Sequence, residues 1–306
     1  MDFQHSDTQR ELKDMVSRLL RDRYDFAARQ KIAGTEPGST MAMWSTYAEL
    51  GLLGIGLDDD HGGVGGGFGD VAVVMEEFGR ALALEPFVAN AVLGAGVIAD
   101  AAPEDCDMLL ERITSGHLLV ALAHGEAAAR YNRTYVGTTA RRHGDGFIIN
   151  GSKTVVLGGD GAGLLIVSAR TAGDVAASTG ISLLLVERDA PGVAIRSYRT
   201  VDDLGAAEVV LTGAVGRLIG VEGGAAPLIE KAYDRAIAAL CAEAVGAMQA
   251  AFDITLDYLK TRRQFGVSIG SFQALQHKAV DMLVAIELAQ SMAMIAARHA
   301  AVEDAT

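Results

Sequence analysis

The sequence predicts an α+β protein in three parts: an N-terminal all-α domain over residues 1–117, a β domain over 118–222 and a C-terminal helical domain over 223–306. Three observations predict it. Apolar residues recur at helical spacing up to about Gly116. From Leu118 the period changes to short apolar runs rich in β-branched residues, separated by Gly and Asp turn signals. Helical spacing returns after Gly223-Gly224. With 306 residues, 50% of them hydrophobic, the chain can bury a large core, and its length points to two or three structural units.

Taken in order, Ser6 followed by Gln9 forms a capping-box pattern, and Leu12, Met15, Val16, Leu19 and Leu20 repeat at helical spacing behind it. Further helices are expected over 44–53, 71–84, 88–99 and 105–114. Within 71–84, Val73, Val74, Glu76, Glu77 and Arg80 divide into apolar and polar faces. The glycine cluster at 62–69 can be forced into a dinucleotide fingerprint, but that fingerprint needs a strand before it. Here the preceding element is a helix, so the cluster reads as a loop between helices. Strands are expected over 118–123, 135–142, 147–149, 164–169, 181–186, 193–196 and 208–211, with Asp145-Gly146 and Pro191-Gly192 as turns. No helical pattern separates these strands, so an antiparallel barrel or sandwich is expected rather than a parallel sheet.

The C-terminal part holds two long helical segments, 227–260 and 272–301, joined by ArgArgGlnPheGlyValSerIleGly at 262–270. In the second, Leu275, Ala279, Met282, Ile286 and Ala289 alternate steps of four and three, a seam suited to antiparallel helix packing. Two helices do not make a bundle, so these need partners elsewhere in the molecule or in another subunit.

Lys and Arg number 26 against 39 Asp and Glu, and the net charge of −13 argues against a nucleic-acid surface, although a local basic patch can still bind phosphates. Cys106 and Cys241 are far apart and lack CxxC spacing, so neither a metal site nor a disulfide framework is indicated, and a reducing cytoplasm fits. Residues 1–14 are polar, without the apolar core of a secretory signal, and no uninterrupted apolar stretch approaches the roughly 18 residues of a membrane span.

Three motifs carry a resemblance to a known family. TrpSerThrTyrAlaGluLeuGlyLeuLeuGlyIle (44–55), with HisGlyGlyValGlyGlyGlyPheGlyAspValAla (61–72) and GluGluPheGlyArgAla (76–81), closely resembles the N-terminal helical domain of acyl-CoA dehydrogenases. AspGlyPheIleIleAsnGlySerLys (145–153) resembles that family's β-domain signature, and LysThrArgArgGlnPheGlyValSerIleGlySerPheGlnAla (260–274) its helix-joining segment. The resemblance spans essentially the whole chain. It implies FAD as cofactor, an acyl-CoA substrate and α,β-desaturation of the thioester, with an electron-transfer flavoprotein as acceptor and an oligomeric assembly.

The resemblance also implies site residues. Arg262 has an ordinary reading as a cation complementing a helix C-terminus. In the family the arginine at this position reaches across a dimer to the FAD pyrophosphate, with Gln264, Phe265 and Gln273 around the same dinucleotide. The β-domain contacts depart from the family pattern. Counting back from Asn150 places Glu126 at the family glutamate and Tyr131-Asn132 at a Ser-Asp pair that contacts substrate. Val155 and Leu157 fall where a tryptophan and a threonine flank the flavin. His124 is the one unusual polar residue near the expected chemistry, although a histidine at a strand end is more often a structural hydrogen-bonder. HisGlyGlu with Tyr131, and the stretch 236–248, resemble the small-subunit branch of pimeloyl-CoA dehydrogenases, described as pairing with a large subunit.

Relatives place the catalytic glutamate near the C-terminus or on the helix before the Arg262 motif. The first location lies beyond Thr306, and spacing back from Arg262 puts the second on Ala236. Asp234 is a weak alternative base, and Glu243 lies about two turns further on. The ending at 302–306, directly after an uncapped helical run, reads as truncation, with the family's further C-terminal helices absent. Three functions are left open: an acyl-CoA dehydrogenase read here in truncated form, a small subunit completed by a partner, or a flavin-free relative that binds a CoA ester or a protein partner.

Overall fold

The computed structural model describes residues 5–35, 41–101 and 106–301. The capping box forms as read: the Gln9 amide donates to Ser6 Oγ and the Ser6 amide to Gln9 Oε1, both at 3.1 Å. It opens α1 (Asp7–Arg23), which buries Val16 and Leu20. A short helix α2 (Phe26–Ala33) follows that periodicity does not reveal, because only Ile32 is buried in it. Helix α3 (Met41–Glu49) ends earlier than expected. Gly51, at φ +72°, turns the chain and leaves Leu52–Gly54 as a separate 3-10 turn. The glycine run ends at α4 (Phe68–Ala81), with no strand before it among the described residues. The expected helix over 88–99 is a π-helix, Val88–Ala95, that runs into α5 (Gly96–Ala101), and α6 (Asp107–Thr114) follows. Residue 105, the expected start of α6, and the chain end at 302–306 lie outside the described residues.

The β domain contains β1 (Val120–Ala123), β2 (Thr139–His143), β3 (Gly146–Leu157), β4 (Leu164–Arg170), β5 (Ile181–Glu187), β6 (Val193–Arg199) and β7 (Gly205–Ile219). Strands β4, β2, β3, β7 and β5 pair in that order and β5 returns to β4, so the sheet closes into a barrel; β1 adds to β4 and β6 to β7. Phe147, Ile149, Leu165, Val167, Leu184, Val186, Val209 and Leu211 fill its core. The all-antiparallel expectation needs correction: β1 runs parallel to β4, and β2 meets β4 in parallel at Thr139–Arg170. The β2–β3 hairpin itself provides the crossover from β1 to β4, so no helix is needed. His143 pairs with Gly146, which puts the hairpin turn at Gly144-Asp145, one residue before the expected pair.

Helix α7 (Ala226–Thr261), a small hairpin of β8 (Arg263–Gln264) and β9 (Val267–Ser268), and α8 (Gln273–Ala301) complete the chain. Two compact units result. One holds 31–67 and 84–236, including the barrel and the start of α7; the other holds the N-terminus to residue 30, 68–83 and the chain from 237 onward. The start of α7 is tied to the barrel unit by the Ala225 amide on the Ile181 carbonyl at 2.9 Å. Lys231 and Arg235 add ion pairs to Asp100 at 2.9 and 2.7 Å.

In the helical unit, α4 and α7 touch backbone to backbone. A Cβ on Gly79 would collide with the Glu243 carbonyl, and one on Gly246 with the Glu76 carbonyl. The glycine of the GluGluPheGlyArgAla motif is therefore a helix-crossing residue. By length and composition both α7 and α8 could cross a membrane, yet α7 carries Lys231, Asp234, Arg235, Glu243 and Asp253 along its length. Helix α8 exposes Val280, Leu283, Val284, Leu288 and Met292.

Candidate active site

In the barrel unit, strand β1 delivers the chain to His124, and β3 and β4 supply Lys153 and Ser168. The three are buried, with Lys153 0% exposed. Lys153 Nζ donates to Glu126 Oε1 at 2.7 Å, to Ser168 Oγ at 3.0 Å and to the His124 carbonyl at 3.3 Å. Its three protons are thereby used. Ser168 Oγ, which accepts from Lys153, also pairs with His124 Nδ1 at 2.9 Å, and the direction of that bond follows the ring tautomer. Burial, reinforced by the Lys153 charge, lowers the His124 pKa to about 4. Burial also lowers Lys153 to about 8, against the raising effect of Glu126. Burial alone would raise Glu126, but the Lys153 ammonium and hydrogen bonds from Lys153 and the Thr138 amide outweigh it and hold the carboxyl below its ordinary value.

Glu126 also organises the chain that follows. Its Oε2 accepts the Gly137 amide at 2.7 Å and its Oε1 the Thr138 amide at 3.0 Å, folding the segment 126–138 back on itself. Tyr131 stands out from this segment fully exposed, after Arg130 at φ +51°. Asn132, also exposed, turns inward through Oδ1, which accepts from the Thr134 amide and hydroxyl at 3.0 and 2.8 Å. Arg133 pairs with Glu230 at 2.6 Å and Asp234 at 3.2 Å and lies 5.1 Å from the centroid of the Tyr233 ring. The same ring meets His124 edge-on, with centroids 5.7 Å apart. Asp234 is thus an exposed ion-pair member, 70% accessible, and Ala236 is buried.

Val155 sits on a bulge of β3, where the pairing with β7 shifts between Lys153 and Val156, and Leu157 lies past it, back in register opposite Ala206. Val155 has φ +51°, an outlier for a β-branched residue, and is 56% exposed. The Thr154 amide beside it donates to the Gly125 carbonyl at 2.8 Å, tying the bulge to the start of the 124–138 segment. A bulge that turns an apolar side chain outward at a strained position is a device common beside active sites.

The remaining sequence-derived residues lie in the helical unit. Arg262 follows α7 with its amide on the Tyr258 carbonyl, and its exposed guanidinium has no partner among the described residues. Gln264 pairs with Val267 in the β8–β9 hairpin, and its side-chain Nε2 donates to the Arg263 carbonyl at 2.8 Å. Phe265, at φ +53° and 92% exposed, meets only Phe272 edge-on at 6.3 Å among the described rings. Gln273 begins α8 and is exposed. The residues that sequence reasoning missed as functional candidates are Lys153, Ser168, Arg133, Tyr233 and Arg170. A lysine in phase with the inward Phe147 and Ile149, and a serine and arginine inside the apolar run LeuLeuIleValSerAlaArg, were the available signals.

Comparison with known proteins places this geometry. Family profiles described as acyl-CoA dehydrogenase N-terminal, middle and C-terminal domains match residues 6–117, 121–214 and 227–306. The acyl-CoA dehydrogenase FadE34 of Mycobacterium tuberculosis is 31% identical over 92% of this chain, which spans 35% of that longer protein. The mitochondrial 2-methylacyl-CoA dehydrogenase of Solanum tuberosum is 27% identical over 93% of the chain and 71% of its own length. A solved steroid acyl-CoA dehydrogenase, the Tcur3481-Tcur3483 G363A variant, superposes with TM-score 0.83 at 30% identity, covering 96% of this chain and 78% of the other. The chain belongs to the acyl-CoA dehydrogenase family, oxidoreductases that use FAD. The residues present fit that cofactor: an unpartnered guanidinium suits a diphosphate, and a projecting aromatic ring and an outward apolar bulge suit planar rings.

Proposed function

We propose that this chain serves the FAD-dependent α,β-desaturation of an acyl-CoA thioester, with the Val155 bulge and the 124–138 segment lining the flavin and substrate side. In this reading the 262–273 hairpin serves the dinucleotide of another subunit. The observation that carries the reading is the hairpin, where the exposed Arg262 has no partner among the described residues and the Phe265 ring is 92% exposed. FAD, when bound, accepts the β-hydrogen as hydride. The chain must then hold the thioester and provide for removal of the α-proton, which demands a desolvated carboxylate and donors to the thioester oxygen. His124 does not answer that demand, because Ser168 occupies Nδ1 and burial keeps the ring neutral down to about pH 4.

Asp234 is solvated and paired with Arg133, and the buried Ala236 occupies the position where some relatives carry the base. That observation favours a second, compatible reading: a subunit of the pimeloyl-CoA dehydrogenase small-subunit type whose base comes from a large-subunit partner, with an electron-transfer flavoprotein accepting the electrons. The test is spectroscopic. On the first reading the purified chain alone is expected to show flavin absorbance that bleaches anaerobically on adding acyl-CoA; on the second, bleaching appears only with a co-expressed large subunit. A protein that stays colourless in excess FAD overturns the flavin reading, and equal activity with and without the partner overturns the second.

A further inference from the structure

We infer that Arg170 is a positioning residue for the proposed reaction: its guanidinium clamps the segment that presents Tyr131 and Asn132, so that these side chains are offered from a preset loop. The inference rests on the proposed function for the assignment of that segment to the substrate side. The clamp itself rests on geometry. Arg170 ends β4 and is 7% exposed, yet among the described residues no carboxylate forms an ion pair with it. Its N–H groups go instead to backbone carbonyls on two separate segments. Nη2 donates to Thr134 at 2.8 Å and Nε to Val136 at 3.5 Å on one; Nη2 reaches Val175 at 2.8 Å, and Nη1 reaches Ala177 at 2.9 Å and Thr179 at 2.7 Å, on the other. This uses the full five-donor fork, which a lysine cannot reproduce.

The two segments are joined to each other only lightly besides, through the Val136 amide on the Val175 carbonyl at 2.9 Å and Thr134 Oγ1 on the Ala176 carbonyl at 3.1 Å. From Thr134 the order passes directly to the site, since its amide and hydroxyl hold Asn132 Oδ1, next to Tyr131. Glu126 fixes the other end of the fold-back at Gly137 and Thr138. Residues 127, 128 and 130–132 are exposed and gain no order from a core, so polar contacts hold them: the clamps at 126 and 170, and Arg133 paired to Glu230 and Asp234. A buried cation without a direct ion pair is a poor way to stabilise a barrel strand, where an apolar side chain of similar size would serve. It is an effective way to fix two loops at once.

The experiment compares the wild type with Arg170→Met and Arg170→Lys, in whichever assembly is active, well below the unfolding temperature. The expected result is a rise of roughly tenfold or more in KM for the acyl-CoA, with flavin content and kcat within roughly threefold, because misplaced binding groups cost affinity first. Trypsin cleavage after Arg130 and Arg133 is expected to accelerate by a similar factor, and Arg170→Lys is expected not to restore either property. Should Arg170→Met fail to fold, hydrogen exchange on the wild type decides. The amides of Asn132, Tyr135 and Val136 are expected to exchange far more slowly than those of the Gly144-Asp145 turn, and equal exchange overturns the clamp. The proteolysis and exchange measurements need no catalysis, so they stand even if the flavin reaction fails. A loosened loop with unchanged KM overturns the positioning role and leaves the proposed function intact.

Discussion

The segment 124–138 and the hairpin 262–273 are both read as parts of one family's active site, yet they are built on opposite principles. In the first, nearly every polar group is spoken for: Lys153 uses three protons, Glu126 accepts from the ammonium and two amides, and His124 is locked by Ser168. In the second, Arg262 has no partner among the described residues, and Phe265 is 92% exposed with only the Phe272 ring against it among the described rings. The difference separates a surface finished within the chain from one that waits for another molecule. It also says where substitutions register, as lost stability in the first and as lost binding in the second.

The largest expected effect is therefore at Lys153. Lys153→Met leaves Glu126 without its cation and strips a donor from Ser168 and from the His124 carbonyl, and removing one partner of a buried pair costs about 3–5 kcal/mol. Denaturant unfolding at neutral pH measures it. A loss under about 1 kcal/mol would mean that the network follows the fold instead of fixing it.

Next comes the pH response of His124. Its pKa is lowered to about 4 in the fold from 6.5, so between those values the unfolded chain binds a proton that the folded chain refuses. Stability accordingly falls as the pH drops through that window, by about 3 kcal/mol in total at 1.36 kcal/mol per unit. Glu126, held below its ordinary value, adds a loss of the same sign at more acid pH. His124→Gln is expected to flatten the slope between pH 6.5 and 4, whatever it does to stability at pH 7. An unchanged slope would place the titrating group elsewhere.

These two effects belong to residues whose partnership the sequence did not disclose, and the reason is physical. Periodicity reports what one element does with its own faces, so the three blocks, the capping box and the long helices were all legible. Glu126, Lys153 and Ser168 meet only because three strands and a loop close a barrel, and no local pattern encodes that meeting. The parallel β1–β4 pairing was hidden for the same reason. Helix α2 escaped because it buries a single apolar side chain, and the full lengths of β3 and β7 because bulges interrupt their alternation. The hairpin is the reverse case: its residues are consecutive, so motif resemblance named them, and the structure adds that they are exposed.

At Arg262 the comparison is sharpened from the other side. Arg262→Ala removes an exposed, unpartnered cation, so unfolding stability should stay within about 0.5 kcal/mol. Flavin retained after gel filtration should fall severalfold, and Phe265→Ala should act in the same direction. Retention of full flavin by both variants would detach the hairpin from the dinucleotide and leave its exposed ring unexplained.

Asp234→Asn is expected to have the smallest effect. Asp234 is 70% exposed, and exposed ion pairs contribute about 0–1 kcal/mol. Arg133 keeps Glu230 at 2.6 Å and its place against Tyr233 when Asp234 is neutralised. Stability should therefore move by less than about 0.5 kcal/mol, and kcat by no more than roughly threefold, since a solvated carboxylate held by a guanidinium is poorly suited to take a thioester α-proton. A fall in kcat of roughly a hundredfold or more, with KM unchanged, would make Asp234 the base after all. The 124–138 side would then be finished chemically as well as structurally, and a partner-supplied carboxylate would be unnecessary.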